Sequence, residues 1–116
     1  MAISTTAAKF RKTGDTLDYT AASAVNAGDI IVVDGLNCIA QWDIAQGATG
    51  VLKILHRGEV VEVTTDEAIG STNAGTAIYV VAATGLVTKT STNNVLLGYA
   101  RAAIGSTDLS FEVVCA

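Results

Sequence analysis

Proline is absent from this chain of 116 residues, and several chemically useful residue types are nearly so: there are two cysteines, one histidine, one tryptophan and one methionine. Each scarcity narrows the reading. Without proline, the edges of any β-sheet must be protected by other means, and contacts between copies of the chain are one such means. Two cysteines, Cys38 and Cys115, are too few for a disulfide framework. Both sit in apolar surroundings and read as buried free thiols of a protein folded in a reducing compartment, with a single bridge between them as the alternative. A single histidine, with no Cys-x-x-Cys pair, leaves zinc coordination and Ser-His-Asp chemistry little to build on. No Gly-Lys-Ser/Thr follows any of the glycines, so a phosphate-binding loop is excluded and the glycines read as turn formers. No run approaches the roughly 18 consecutive apolar residues of a membrane span. The opening MAISTTAAKFRKTG has no apolar core of the secretory type.

Positive charge is also scarce. Seven Lys and Arg face eleven Asp and Glu, for a net charge of −4. Lys9, Arg11 and Lys12 give the first twelve residues +3, which leaves −7 for residues 13–116. An acidic body does not attract nucleic acid, whose phosphates call for clustered Lys and Arg. The small basic segment is suited instead to an acidic protein neighbour.

What the chain does contain is half its residues apolar, few of them aromatic, in short segments punctuated by glycine. Ala, Val, Ile and Leu must therefore build the core. Residues 1–14 read as a flexible N-terminal arm and residues 15–116 as one β-domain. TLDYT (Thr16–Thr20) alternates, with Leu17 and Tyr19 on one face. After the loop AASAVNAGD, the run DIIVVDG suits a strand covered on both faces, and Asp34-Gly35 is a type I′ hairpin signal. NCIAQW follows, with Cys38, Ala40 and Trp42 predicted to share a face. DIAQGATG (Asp43–Gly50) reads as a connection, and VLKILH is expected to pair with EVVEVT across Arg57-Gly58. Thr65 to Gly70 has room for one helical turn.

The second half repeats the style. GTAIYVVAATGLVTK predicts a hairpin turning at Ala83–Gly85. In VLLGYARA, Leu96, Gly98, Ala100 and Ala102 fall on one side, with Tyr99 and Arg101 on the other. In DLSFEVVC, Leu109, Phe111, Val113 and Cys115 point inward, with Ser110, Glu112 and Val114 outward. Eight or nine strands and no substantial helix make the chain an all-β protein, a small barrel or sandwich.

Candidate chemistry is thin. His56 lies at a predicted turn beside Arg57 and reads as structural. Glu59 and Glu62, three apart on a strand, point to opposite faces and cannot act as an acid–base pair. Trp42, the lone tryptophan, reads either as packing or as an interface anchor.

In their succession, KFRKTGDTLDYTA, VNAGDIIVVDGLNCIA, DIAQGATGVL, RGEVVEV, AGTAIYV, GLVT and NVLLGYA resemble a family of small phage proteins, the capsid cement or decoration proteins of the DUF2190 type. The resemblance runs from about Lys9 to Glu112. No single phrase is diagnostic, and the ending FEVVCA departs from the basic-apolar ending more usual in the family. The resemblance implies a non-enzymatic protein, without cofactor or metal, on the outer capsid surface of a virion. Made in the host bacterial cytoplasm, it would bind the expanded shell as an oligomer and brace it against internal DNA pressure. Its expected partners are the major capsid protein and itself, as a homotrimer in preference to a dimer, with no nucleic acid or membrane. On this reading Phe10 inserts into a capsid groove, Lys9, Arg11 and Lys12 meet acidic capsid residues, and Trp42 is a further contact. A carbohydrate- or host-surface-binding β module is the alternative, and a small enzyme a distant third.

Overall fold

The computed structural model describes residues 15–116. The expected arm, residues 1–14, lies outside them. Among these residues nine strands are formed: β1 (Thr16–Thr20), β2 (Ile30–Val33), β3 (Leu36–Ala40), β4 (Thr49–Ile54), β5 (Val60–Thr64), β6 (Ala77–Val80), β7 (Val87–Thr88), β8 (Val95–Ala100) and β9 (Ser110–Cys115). They make two antiparallel sheets, one in the order β1-β4-β3-β2 and the other β5-β9-β8-β6-β7. Neither order returns to its own first strand, so both sheets are open and neither closes into a barrel.

The strongest turn signal is realised as written. Asp34 and Gly35 both take positive φ, 49° and 83°, and join Val33 to Leu36 in the β2–β3 hairpin. The turn at Ala83–Gly85 also forms, with the Gly85 N–H donating to the Val81 carbonyl at 2.8 Å.

Several expectations need correction. β4 does not pair with β5. Its two edges are occupied by β1, in the register Leu17–Leu52, and by β3, in the register Ala40–Leu52. The Ile54 and Leu55 N–H groups go to Asp15 and Asn37. No edge remains for β5, which pairs with β9 instead. The Arg57-Gly58 turn exists, but it carries the chain from one sheet to the other. β4 also begins inside the expected connection, at Thr49.

Thr65–Gly70 makes no helical turn. Thr65 N–H is tied to the Leu109 carbonyl at 2.7 Å, just ahead of β9, and Thr65 Oγ1 donates to the Glu67 carbonyl within the segment. In β8 the strict alternation fails at a bulge. Ile78 faces Gly98 while Tyr79 faces Leu96, so Leu97 is the extra residue and turns into the core, and Ala102, beyond the strand, is exposed. Leu109, expected inside, precedes β9 and is exposed, while Phe111, Val113 and Cys115 are buried as expected.

The two sheets are copies of one unit. β1-β4-β3-β2 and β5-β9-β8-β6 have the same order, with β7 an addition to the second. Each unit holds one isolated antiparallel bridge between its two long loops, Val25–Ile44 in the first and Thr72–Ile104 in the second. Each bridge leads into the same tight turn, Asn26–Asp29 and Asn73–Thr76. There Gly28 donates to Ala40 at 2.7 Å, and Gly75 to Ala100 at 2.8 Å.

Each unit also has its own core. In the first, Ala21, Val25, Cys38, Ala40, Ile44 and Leu52 are buried, flanked by Leu17, Tyr19, Ile31, Val33 and Ile54. In the second, Val63, Ile78, Val80, Leu97, Ala100, Ile104, Phe111 and Val113 are buried. β2 joins them: Ile31 and Val33 point into the first core, while Ile30 and Val32 pack with Leu55 against the second. The continuous apolar run is thereby explained, since this strand is contacted on both faces. Asn37 Nδ2 donates to the Leu96 carbonyl at 2.8 Å across the same joint. Gly85 lies so close to it that a Cβ there would run into the Ile30 carbonyl oxygen.

Candidate interaction surface

The polar side chains near the joint are engaged in structural contacts. Lys53 reaches Glu59 at 2.9 Å, and Glu59 also accepts the His56 N–H at 2.6 Å. That backbone hydrogen bond, and then the Lys53 ammonium, hold the Glu59 carboxyl below the usual carboxylate range. Glu62 accepts from Ser110 Oγ at 3.1 Å. The two glutamates are thus committed to separate partners. His56 Nε2 lies 3.0 Å from Asp15 Oδ1. Cys38 and Cys115 are buried free thiols. Burial raises the pKa of both, and the nearby Glu59 charge raises that of Cys115 further.

The concave features are open clefts of about 310–430 Å³. One runs between the two sheets and is lined by Asp29, Glu62 and Asp66 together with Ile30, Val63 and Val87. Among the described residues no group of three or more His, Cys, Asp or Glu side chains is placed to hold a metal ion.

The exposed apolar residues are more informative. Trp42 is 68% exposed. It does not share a face with Cys38 and Ala40, because β3 ends at Ala40 and the chain bends at Gln41–Trp42. The loop that carries it is pinned: Asp43 Oδ1 accepts the Ala27 N–H at 2.8 Å, and Ile44 and Val25 exchange two hydrogen bonds of 2.8 Å. A large aromatic held out of the core on a fixed loop is the kind of residue that anchors interfaces. Of the residues singled out in the sequence, Lys9, Phe10, Arg11 and Lys12 lie outside the described residues.

A second apolar feature went unrecognised in the sequence. On the outer face of the second sheet, Val60 pairs with Val114, Val114 with Tyr99 and Tyr99 with Ala77. These four residues form a row across four strands, flanked by Tyr79 and Leu96. Val60 and Tyr99 are each 45% exposed. Its signal was present, since alternation placed Val114 outward and Tyr99 on the same side as the charged Arg101, where polar residues are expected on a solvated face.

A protein-family model described as phage cement protein matches residues 11–115. No curated protein and no solved structure matches the chain. The match spans both copies of the four-stranded unit, the joint between them and the loop that carries Trp42, and the chain belongs to the phage cement protein family.

Proposed function

We propose that this protein binds the outer surface of the expanded capsid of its phage, as an oligomer and without catalysis, and braces the shell against the pressure of packaged DNA. The observation that carries the reading is the family match over residues 11–115. Two small sheets joined through a shared strand offer a stiff body, and stiffness limits the entropy lost on docking. Weak contacts suffice when they are made many times over one shell. Phe10 fills a capsid groove, Lys9, Arg11 and Lys12 meet acidic capsid residues, and Trp42 supplies an aromatic contact. Both the capsid protein and a second copy of this chain are partners, with a homotrimer suited to local three-fold positions. The protein is made in the host cytoplasm and ends in the virion.

Co-sedimentation with emptied expanded capsids, beside unexpanded shells, tests this. Saturable binding to the expanded form is expected, weakened by removal of residues 1–12 and by Trp42→Ala. Absence of binding by folded protein to either shell refutes the reading. Trp42-dependent binding on a glycan array would then favour a carbohydrate-binding module.

A further inference from the structure

We propose that copies of this chain associate head to tail. The outer face of the second unit of one copy seats on the inner face of the first unit of the next. This repeats between copies the packing that joins the two units within one chain.

The argument rests on the duplication. Inside the chain, the outer side of β2 (Ile30 and Val32), with Leu55, covers the inner face of the second sheet. Under that cover Ile78 and Val80 are fully buried and Val63 nearly so. The positions that correspond to them in the first sheet are fixed by the registers. Leu17–Leu52 matches Val61–Val113, and Ile31–Cys38 matches Ile78–Gly98. Ile31, Val33 and Tyr19 therefore stand where Ile78, Val80 and Val63 stand, yet all three are only half-buried. The first unit has the same apolar face as the second, and among the described residues no strand covers it as β2 covers the second.

The missing cover is present elsewhere on the chain. The counterpart of Ile30 on β2 is Ala77 on β6, and across the sheet Ile39 corresponds to Tyr99 and Lys53 to Val114. This is the apolar row Val60-Val114-Tyr99-Ala77, with Tyr79 beside it. Where the first unit's outer face carries Lys53, the second carries Val114. Among the described residues the chain thus bears one uncovered acceptor face and one uncovered donor face, and they are the counterparts of the two faces already mated at its own joint. A second copy occupies both, continuing that interface from chain to chain. Such a contact is heterologous, and it closes into a ring when the rotation per copy allows. In a ring of three, six similar units would alternate between joints within and between chains.

This inference rests on the self-association in the proposed function and not on capsid attachment. Sedimentation velocity tests it with Tyr99→Glu on the donor face and Tyr19→Glu on the acceptor face, both checked for folding by circular dichroism. Tyr99→Ser and Tyr19→Gln serve where a charge prevents folding. Wild-type protein is expected to sediment as a closed oligomer and each variant as a monomer. An equimolar mixture of the two variants should give a one-to-one dimer, because each retains the face the other has lost. Variants that keep the wild-type oligomer, or a mixture that stays monomeric, would overturn the proposed faces while leaving self-association intact. Wild-type protein that stays monomeric to about 100 µM, a limit weaker than a functional self-interface needs, would overturn self-association itself. Capsid co-sedimentation reads the cement role separately.

Discussion

Nζ of Lys53, near the end of β4, lies 3.0 and 2.9 Å from the two carboxylate oxygens of Glu59, at the threshold of β5. The pair closes the bend at which the chain leaves one sheet for the other, and the His56 N–H completes the carboxylate's hydrogen bonding.

The bend should therefore weaken in acid. Glu59 titrates below its ordinary range in the folded protein, first because of the His56 N–H and then because of Lys53. Its contribution is complete above the unfolded carboxyl pKa and is lost as pH falls through the lowered folded value. Wild-type protein should resist urea slightly better than Glu59→Gln at pH 7, the modest margin expected of an exposed pair. That margin should vanish on acidification, and a gap independent of pH would contradict the assignment.

Gly85 and Gly75 separate backbone conformation from crowding. Both have positive φ, 74° and 84°, but only at Gly85 would a Cβ meet the Ile30 carbonyl, while Gly75 faces open space. Gly75→Ala should cost about 1–2 kcal/mol for the left-handed backbone alone. Gly85→Ala should cost about 1–3 kcal/mol more, for overpacking the joint. Urea denaturation of the two variants measures the difference.

Ile31 and Ile78 occupy matched positions with different burial. Ile78→Ala should lose about 2–5 kcal/mol. Ile31→Ala should lose less in dilute protein, because its side chain already meets solvent. If copies cover this face, thermal melts at rising protein concentration should narrow the gap between the two variants.

The thiols should be inert until the fold opens. Cys38 and Cys115 are buried, with pKa values raised by that burial, so little thiolate is presented to a reagent. Reaction with a disulfide reagent should be slow in native protein, with two thiols released promptly in urea. Prompt native reaction at either cysteine would show that its unit opens locally.

Local pattern carried much of this fold into view. Asp34-Gly35 fixed one hairpin and the alternation in TLDYT one strand, because both depend on residues adjacent in sequence. The partner of β4 was misread for the same reason. A hairpin across Arg57-Gly58 is the nearest pairing, whereas the competing claims of β1 and β3 come from residues far back in the chain. The alternation that grouped Leu96 with Gly98 and Ala100 breaks because a bulge inserts one residue without marking the sequence. Of the candidate surface, Trp42 was recognisable as a lone large aromatic, but not its exposure, which follows from a bend at Gln41. The row through Val114 and Tyr99 is visible only once four strands are laid in register.

β2 has a final consequence for how the molecule comes apart. Its four residues divide between two cores, so loosening either one withdraws two side chains from the other. Two units that share a strand in this way cannot melt one after the other as beads on a string do. The chain should unfold in a single calorimetric transition, with the van't Hoff and measured enthalpies in agreement. A duplicated architecture would then behave, under heat or load, as one indivisible piece.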